Sequence, residues 1–150
     1  MAYREKVTWV TLVVGVLVPV GYLWVVLPEL EATSAADVPY QQSLLVAAGV
    51  SIVALIVGNI ALAAGTAIES RVTGSGSVDE IDREDERDTA ISRRSDVIGF
   101  YVASVGFMGA LALSMLEADY FWIANAIYLS FVLGSVVSST ATIVSYRRGF

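Results

Sequence analysis

Residues 40–68 read YQQSLLVAAGVSIVALIVGNIALAAGTAI, 29 residues without one Asp, Glu, Lys or Arg. A helix needs roughly 20 such residues to cross about 30 Å of hydrocarbon. Three other stretches meet the same condition: Val7–Leu27 (21 residues), Val97–Leu116 (20) and Tyr120–Tyr146 (27). Of the 150 residues, 56% are hydrophobic and 16% charged, against roughly 45–50% and about 25% in soluble domains. The charges crowd between four apolar runs instead of covering a surface. The expected fold is all-α, a polytopic membrane four-helix bundle forming one transmembrane domain over residues 1–150, with residues 69–95 as its charged segment.

The nine basic residues set the threading. Arg4 and Lys6 precede the first span, Arg71, Arg83, Arg87, Arg93 and Arg94 separate the second from the third, and Arg147 and Arg148 follow the fourth. The other two connections, Pro28–Pro39 and Glu117–Asp119, carry acidic residues only. Lys and Arg accumulate on the cytoplasmic side, so both termini and residues 69–95 are expected there, in the cell membrane. The aromatic residues agree: Trp24, Tyr40, Tyr120 and Trp122 mark one boundary, and Tyr3, Trp9 and Tyr146 the other. Arg4 and Lys6 before an apolar run, with Ser34-Ala35-Ala36 beyond it, also suggest a cleaved leader. A leader's apolar core is about 7–15 residues, so the 21 residues here read as a span.

Short outer connections imply two antiparallel transmembrane hairpins. Pro19 is expected to kink the first helix, and Pro28 and Pro39 to bracket the first outer loop. No internal repeat relates the halves, which argues against an inverted-repeat transporter. Helix association in lipid relies on close packing of small residues. Ala126, Ser130, Gly134, Ser138 and Thr142 recur at every fourth position, and Gly99, Ala103, Gly106 and Ala110 form a second stripe. Ala54, Gly58, Ala61 and Gly65 form a third. These serve packing within the bundle, or one of them serves a homodimer face.

Chemistry is narrowed by what is missing. The chain has no Cys and no His, which removes thiolate nucleophiles, disulfides and the commonest zinc ligand and general base. No catalytic residue, cofactor or metal site is expected. Counted from the ends of the spans, no ionisable group lies inside the membrane, where coupled transporters need one. Small four-helix drug exporters, for instance, depend on an intramembrane Glu. Asn59 is then the main intramembrane polar group. Depth counting sets Ser104, Ser135 and Ser138 beside it, as an interhelical hydrogen-bonding group or as a notch that passes a solute.

Between the second and third spans, Gly74-Ser75-Gly76-Ser77 makes a flexible joint. Seven of the ten residues from Asp79 to Asp88 are acidic. Opposite charges at helical offsets (Asp79 with Arg83, Glu84 with Arg87, Arg93 with Asp96) predict an amphipathic helix running into the third span. Ile91 and Ile98 share a face that packs on the bundle or on lipid, and Arg93 and Arg94 suit anionic headgroups. Asp79, Asp82 and Glu86 share a ridge that suits a hard cation, without the glycine turn of an EF-hand. The run Asp79, Asp82, Asp85, Glu86 and Arg87 is the candidate face for docking a cytosolic protein. Its acidity excludes nucleic acid, and a salt-adapted prokaryote would account for it in another way.

The stretch Asp85-Glu86-Arg87-Asp88-Thr89-Ala90-Ile91-Ser92-Arg93-Arg94, leading into Gly99-Phe100-Tyr101, resembles the D-E-R-x-x-x-I-x-x-R signature of a family of small prokaryotic membrane proteins. Those proteins have four predicted spans, with the signature before the third, and Phe121–Ala126 is similar to some of them. The resemblance covers the C-terminal half. It implies the fold and a membrane location, carries no assigned activity, and suggests a regulator-docking role through helix-turn-helix proteins encoded beside some relatives. The expected function is a non-enzymatic membrane protein whose acidic segment docks a protein partner or the membrane surface. The alternative is a small transporter or channel, as a single chain or a homodimer, lined by Asn59, Ser104, Ser135 and Ser138. An enzyme would need Asp82 and Glu86 to hold a metal at the inner surface.

Overall fold

The computed structural model of the chain describes residues 3–73 and 86–148. Among them are four helices: α1 (Tyr3–Ala32), α2 (Tyr40–Thr73), α3 (Glu86–Met115) and α4 (Tyr120–Arg148). Each is long and apolar enough to cross a membrane, which makes the chain a multi-pass helical membrane protein. The expected helix ahead of the third span is present from Glu86 as the first turns of α3 itself. Its earlier part, with Asp79, Asp82 and Asp85, lies outside the described residues.

Contrary to the sequence expectation, Pro28 does not end the first helix, and α1 continues through both Pro19 and Pro28 to Ala32. A proline removes one backbone hydrogen bond to the carbonyl four residues earlier. For Pro28 that carbonyl belongs to Trp24, about two turns from the helix end at Ala32, so the loss falls near the terminus of α1. The chain then turns over residues 33–39. The Asp37 amide donates to the Ser34 carbonyl at 3.0 Å, and the Ser34 hydroxyl donates to the Asp37 carboxylate at 2.7 Å. The second tight turn closes α3 with Glu117 in the left-handed region, φ 52°. The Ala118 amide donates to the Leu113 carbonyl and the Glu117 amide to that of Ser114, at 3.0 and 3.2 Å. This is the paired bonding of a Schellman cap, with Glu where glycine is usual.

Backbones approach most closely in the order α2–α1–α4–α3, and the α3–α4 contact is the most extensive. Along it Gly99 lies against the Gly134 carbonyl and Ser138, Gly134 against Ala103, and Gly106 against Ser130. A Cβ on Gly99 would stand 2.8 Å from the Ser138 Cβ, and one on Gly134 would stand 2.9 Å from the Ala103 Cβ. Both stripes expected on these helices therefore face one another. The third stripe divides: a Cβ on Gly58 would meet Val10 of α1 at 2.7 Å, whereas Gly65 has nothing within 4 Å. On its outward face α2 shows Ile52, Val53, Ile56, Val57 and Ile60. Aliphatic side chains gain little by leaving lipid for another helix, so this face has no drive to close against α3.

A second core sits toward the two tight turns, which we term the loop end. Tyr22 and Val26 of α1, Tyr40 and Ala47 of α2 and Phe121 of α4 are buried together with Val38. The Tyr40 and Phe121 rings meet edge to face at 5.2 Å, and the Tyr22 and Tyr128 rings at 5.4 Å. At the opposite, basic end, the Arg147 guanidinium lies 5.6 Å from the Trp9 ring centroid and ties α4 to α1.

Alanine substitution tests this packing by sign. Gly99→Ala should destabilise the protein by about 1–3 kcal/mol, because the new methyl overpacks the seam. Gly109→Ala, with nothing within 4 Å, should be neutral or stabilise by up to about 1 kcal/mol through helix propensity. Thermal unfolding of the two variants in one detergent compares them directly.

Candidate functional site

The α3–α4 register decides what lies within the membrane. The charge-free stretch of α4, 120–146, has its midpoint at Leu133. Gly15 of α1 faces Val136, which levels Leu133 with Val18, next to the midpoint of 7–27. On α3 the glycine contacts level Leu133 with about Ala103. The midpoint of 97–116 lies three to four residues further on, so that stretch is displaced toward the loop end by about 5 Å. The first turns of α3, with their charges, are displaced the same way relative to the other spans.

Asp96 is the consequence. It faces Ser138, whose hydroxyl donates to its Oδ1 at 3.0 Å. Ser138 is five residues from Leu133, about 7.5 Å along the axis, against a hydrocarbon half-thickness of about 15 Å. On this count the carboxylate stands about 7.5 Å from the midpoint of the spans, whereas span ends counted on α3 alone put it outside them.

Asp96 opens onto a groove of about 540 Å³ between α1, α3 and α4. Its walls carry Thr8 and Thr11 from α1, Ser92 from α3, and Ser135, Ser138, Ser139 and Thr142 from α4; Phe100, Phe107 and Phe131 line it as well. Four of the seven hydroxyl protons on these walls are committed, that of Ser138 to Asp96 and three to their own helices. Thr8 donates to the Arg4 carbonyl at 2.9 Å, Thr11 to that of Val7 at 3.2 Å and Thr142 to that of Ser138 at 3.0 Å. A hydroxyl that has given its proton offers only lone pairs. With the Asp96 carboxylate, these oxygens give the groove several acceptors and one negative charge. Among the described residues no three His, Cys, Asp or Glu side chains gather as a metal site.

The four residues expected to form a notch are not brought together. Ser135 and Ser138 line the groove, whereas Asn59 and Ser104 do not. Ser104 donates to its own helix at the Phe100 carbonyl, 2.8 Å away. The Gly99–Ser138 and Gly106–Ser130 contacts set it nearer the membrane centre than Ser138. Asn59 follows Gly58 on α2, which packs on α1 and not on α3, and its Oδ1 is buried without a hydrogen bond. Of the candidate docking residues, Glu86 and Arg87 form the start of α3.

Near the loop end the other intramembrane asparagine, Asn125, is bonded through both its oxygen and its nitrogen. The Tyr22 hydroxyl donates to Asn125 Oδ1 at 2.7 Å, and Asn125 Nδ2 donates to the Phe121 carbonyl at 2.8 Å. Sequence reasoning reaches neither this bond nor Asp96. The small-residue stripes hold the signal for Asp96, because sliding Gly99 and Gly106 onto Ser138 and Ser130 levels it. No family model, curated protein or solved structure matches this chain.

The Tyr22–Asn125 bond can be weighed by mutation. Tyr22→Phe should destabilise the protein by about 0.6–1.7 kcal/mol, the range for such bonds in membranes. Asn125→Leu should cost less when Tyr22→Phe is already present than it does in the wild-type chain, and a double-mutant cycle in detergent measures the difference.

Proposed function

We propose that this protein is a non-enzymatic, multi-pass cell-membrane protein, built as two antiparallel hairpins with cytoplasmic termini, that binds and passes a small monovalent cation. The observation that carries the reading is the Asp96–Ser138 pair, a carboxylate at hydrocarbon depth facing a groove walled by oxygen acceptors. Intramembrane ionisable residues mark ion and solute pathways by default. A lone carboxylate with hydroxyl oxygens suits one positive charge, either an alkali ion or a small ammonium. The divalent ions take several carboxylates. The orientation is supported by nine basic residues on one side and none on the other.

Reconstituted flux tests it. Purified protein in liposomes should carry a monovalent cation down its gradient, and Asp96→Asn should slow that flux at least tenfold while eluting as wild type. Ser104→Ala, outside the groove, should leave the rate unchanged. Equal flux in wild type and Asp96→Asn overturns the reading.

A second reading rests on the acidic run Asp79–Asp88, a docking face for a basic cytosolic protein, and it can coexist with the first. A version with that run neutralised to Asn and Gln should lose a partner that the native protein retains at low salt. Screening weakens exposed charge contacts over about 10 Å at 0.1 M ionic strength, so moderate salt should also release that partner. A partner indifferent to both changes counts against this face.

A further inference from the structure

Where the groove meets the basic end, a cleft of about 510 Å³ opens between the starts of α1 and α3. Arg4 of α1 and Arg93 of α3 flank it, with the hydroxyls of Thr89 and Ser92 beside them. Its apolar wall is Val97 and Phe100, 47% and 68% exposed, one and two turns further toward the membrane centre. Read along α3, the cleft thus runs from guanidinium through hydroxyl to aliphatic and aromatic surface. A phospholipid runs in the same order, from phosphate through glycerol to acyl chain.

We propose that this cleft is a binding site for a phosphatidylglycerol-type anionic phospholipid. Its phosphate sits between Arg4 and Arg93, and one acyl chain lies over Val97 and Phe100. Guanidinium groups present paired donors that match phosphate oxygens, and basic pockets between membrane helices on the cytoplasmic side bind acidic headgroups. Asp96 borders the same cleft one turn nearer the membrane centre, beside the esterified glycerol and away from the phosphate-linked headgroup. Inorganic phosphate lacks the chain that covers Phe100. The site rests on the proposed orientation, which places the basic end at the cytoplasmic headgroups. It is independent of whether a cation crosses.

The full chain, purified in detergent, is mixed with phosphatidylglycerol or phosphatidylcholine of the same acyl chains, and bound lipid is counted by native mass spectrometry. Phosphatidylglycerol should be retained and phosphatidylcholine lost. Arg4→Gln with Arg93→Gln should weaken retention about tenfold or more. Arg4→Lys with Arg93→Lys should recover part of it, which separates lost charge from lost fold. Lys6→Gln with Arg148→Gln removes the same charge at the same end and should retain the lipid. Equal binding of phosphatidylcholine, or equal loss in the Lys6/Arg148 control, overturns the site and leaves only a diffuse basic surface. Because no flux is read, these outcomes are distinct from failure of the transport reading.

Discussion

The contact of Gly99 with the Gly134 carbonyl and Ser138 is the constraint on which the other features rest. Inside lipid, one aliphatic surface is as good as another, so helices associate through close packing and hydrogen bonds. Two glycines facing each other allow the α3 and α4 backbones an approach that no larger residue permits. A slide of one turn would take Gly99 off Gly134 and carry Ser138 away from Asp96. A packing detail of two missing methyl groups thus decides the depth of a carboxylate.

The two halves of the bundle solve the polarity problem differently. Toward the loop end, aromatic rings pack between α1, α2 and α4, and the Tyr22 hydroxyl bonds the Asn125 amide. Toward the basic end, the residues that let helices approach are glycine, alanine, serine and threonine, which leave volume behind. Their hydroxyls bond back to carbonyls of their own helices, so they line a groove without closing it. The same choice of small residues that tightens α3 on α4 therefore keeps α1 from sealing the seam.

The four helices are legible in the sequence because charge-free length is a one-dimensional property, written in consecutive residues such as 40–68. The stripes on α3 and α4 are legible for the same reason, at a period of about four residues. What a sequence does not carry in one dimension is how far one helix slides along another. Asp96 stands one residue before Val97, where the charge-free count of α3 begins, so a count made on that helix alone excludes it. Only Ser138, 42 residues later, reveals its depth. Asn59 is misplaced by the converse error. Its depth on α2 is reasonable, but depth does not say which neighbour a helix faces, and α2 faces α1.

Energetics give Asp96 its meaning. A carboxylate at the centre of a membrane helix costs about 2.5–3.5 kcal/mol on insertion scales, and less some 7.5 Å nearer the boundary. One hydrogen bond from Ser138 offsets about half of that or more, since bonds to charged groups contribute about 1.5–3 kcal/mol. Asparagine would accept the same bond without a charge, and the glycine seam would pack unchanged around it. In the fold the carboxylate's charge complements Arg93 at a helical offset, and toward the groove it meets anything positive that enters. Arg93, one turn from Asp96 and beside the same cleft, lies on the headgroup side. A cation arriving from the basic end thus meets the guanidinium first and the carboxylate behind it, and a lipid phosphate held at Arg4 and Arg93 would mask that positive charge. The two proposed ligands would therefore not compete: a phosphate beside Arg93 lowers the electrostatic barrier that a cation would meet.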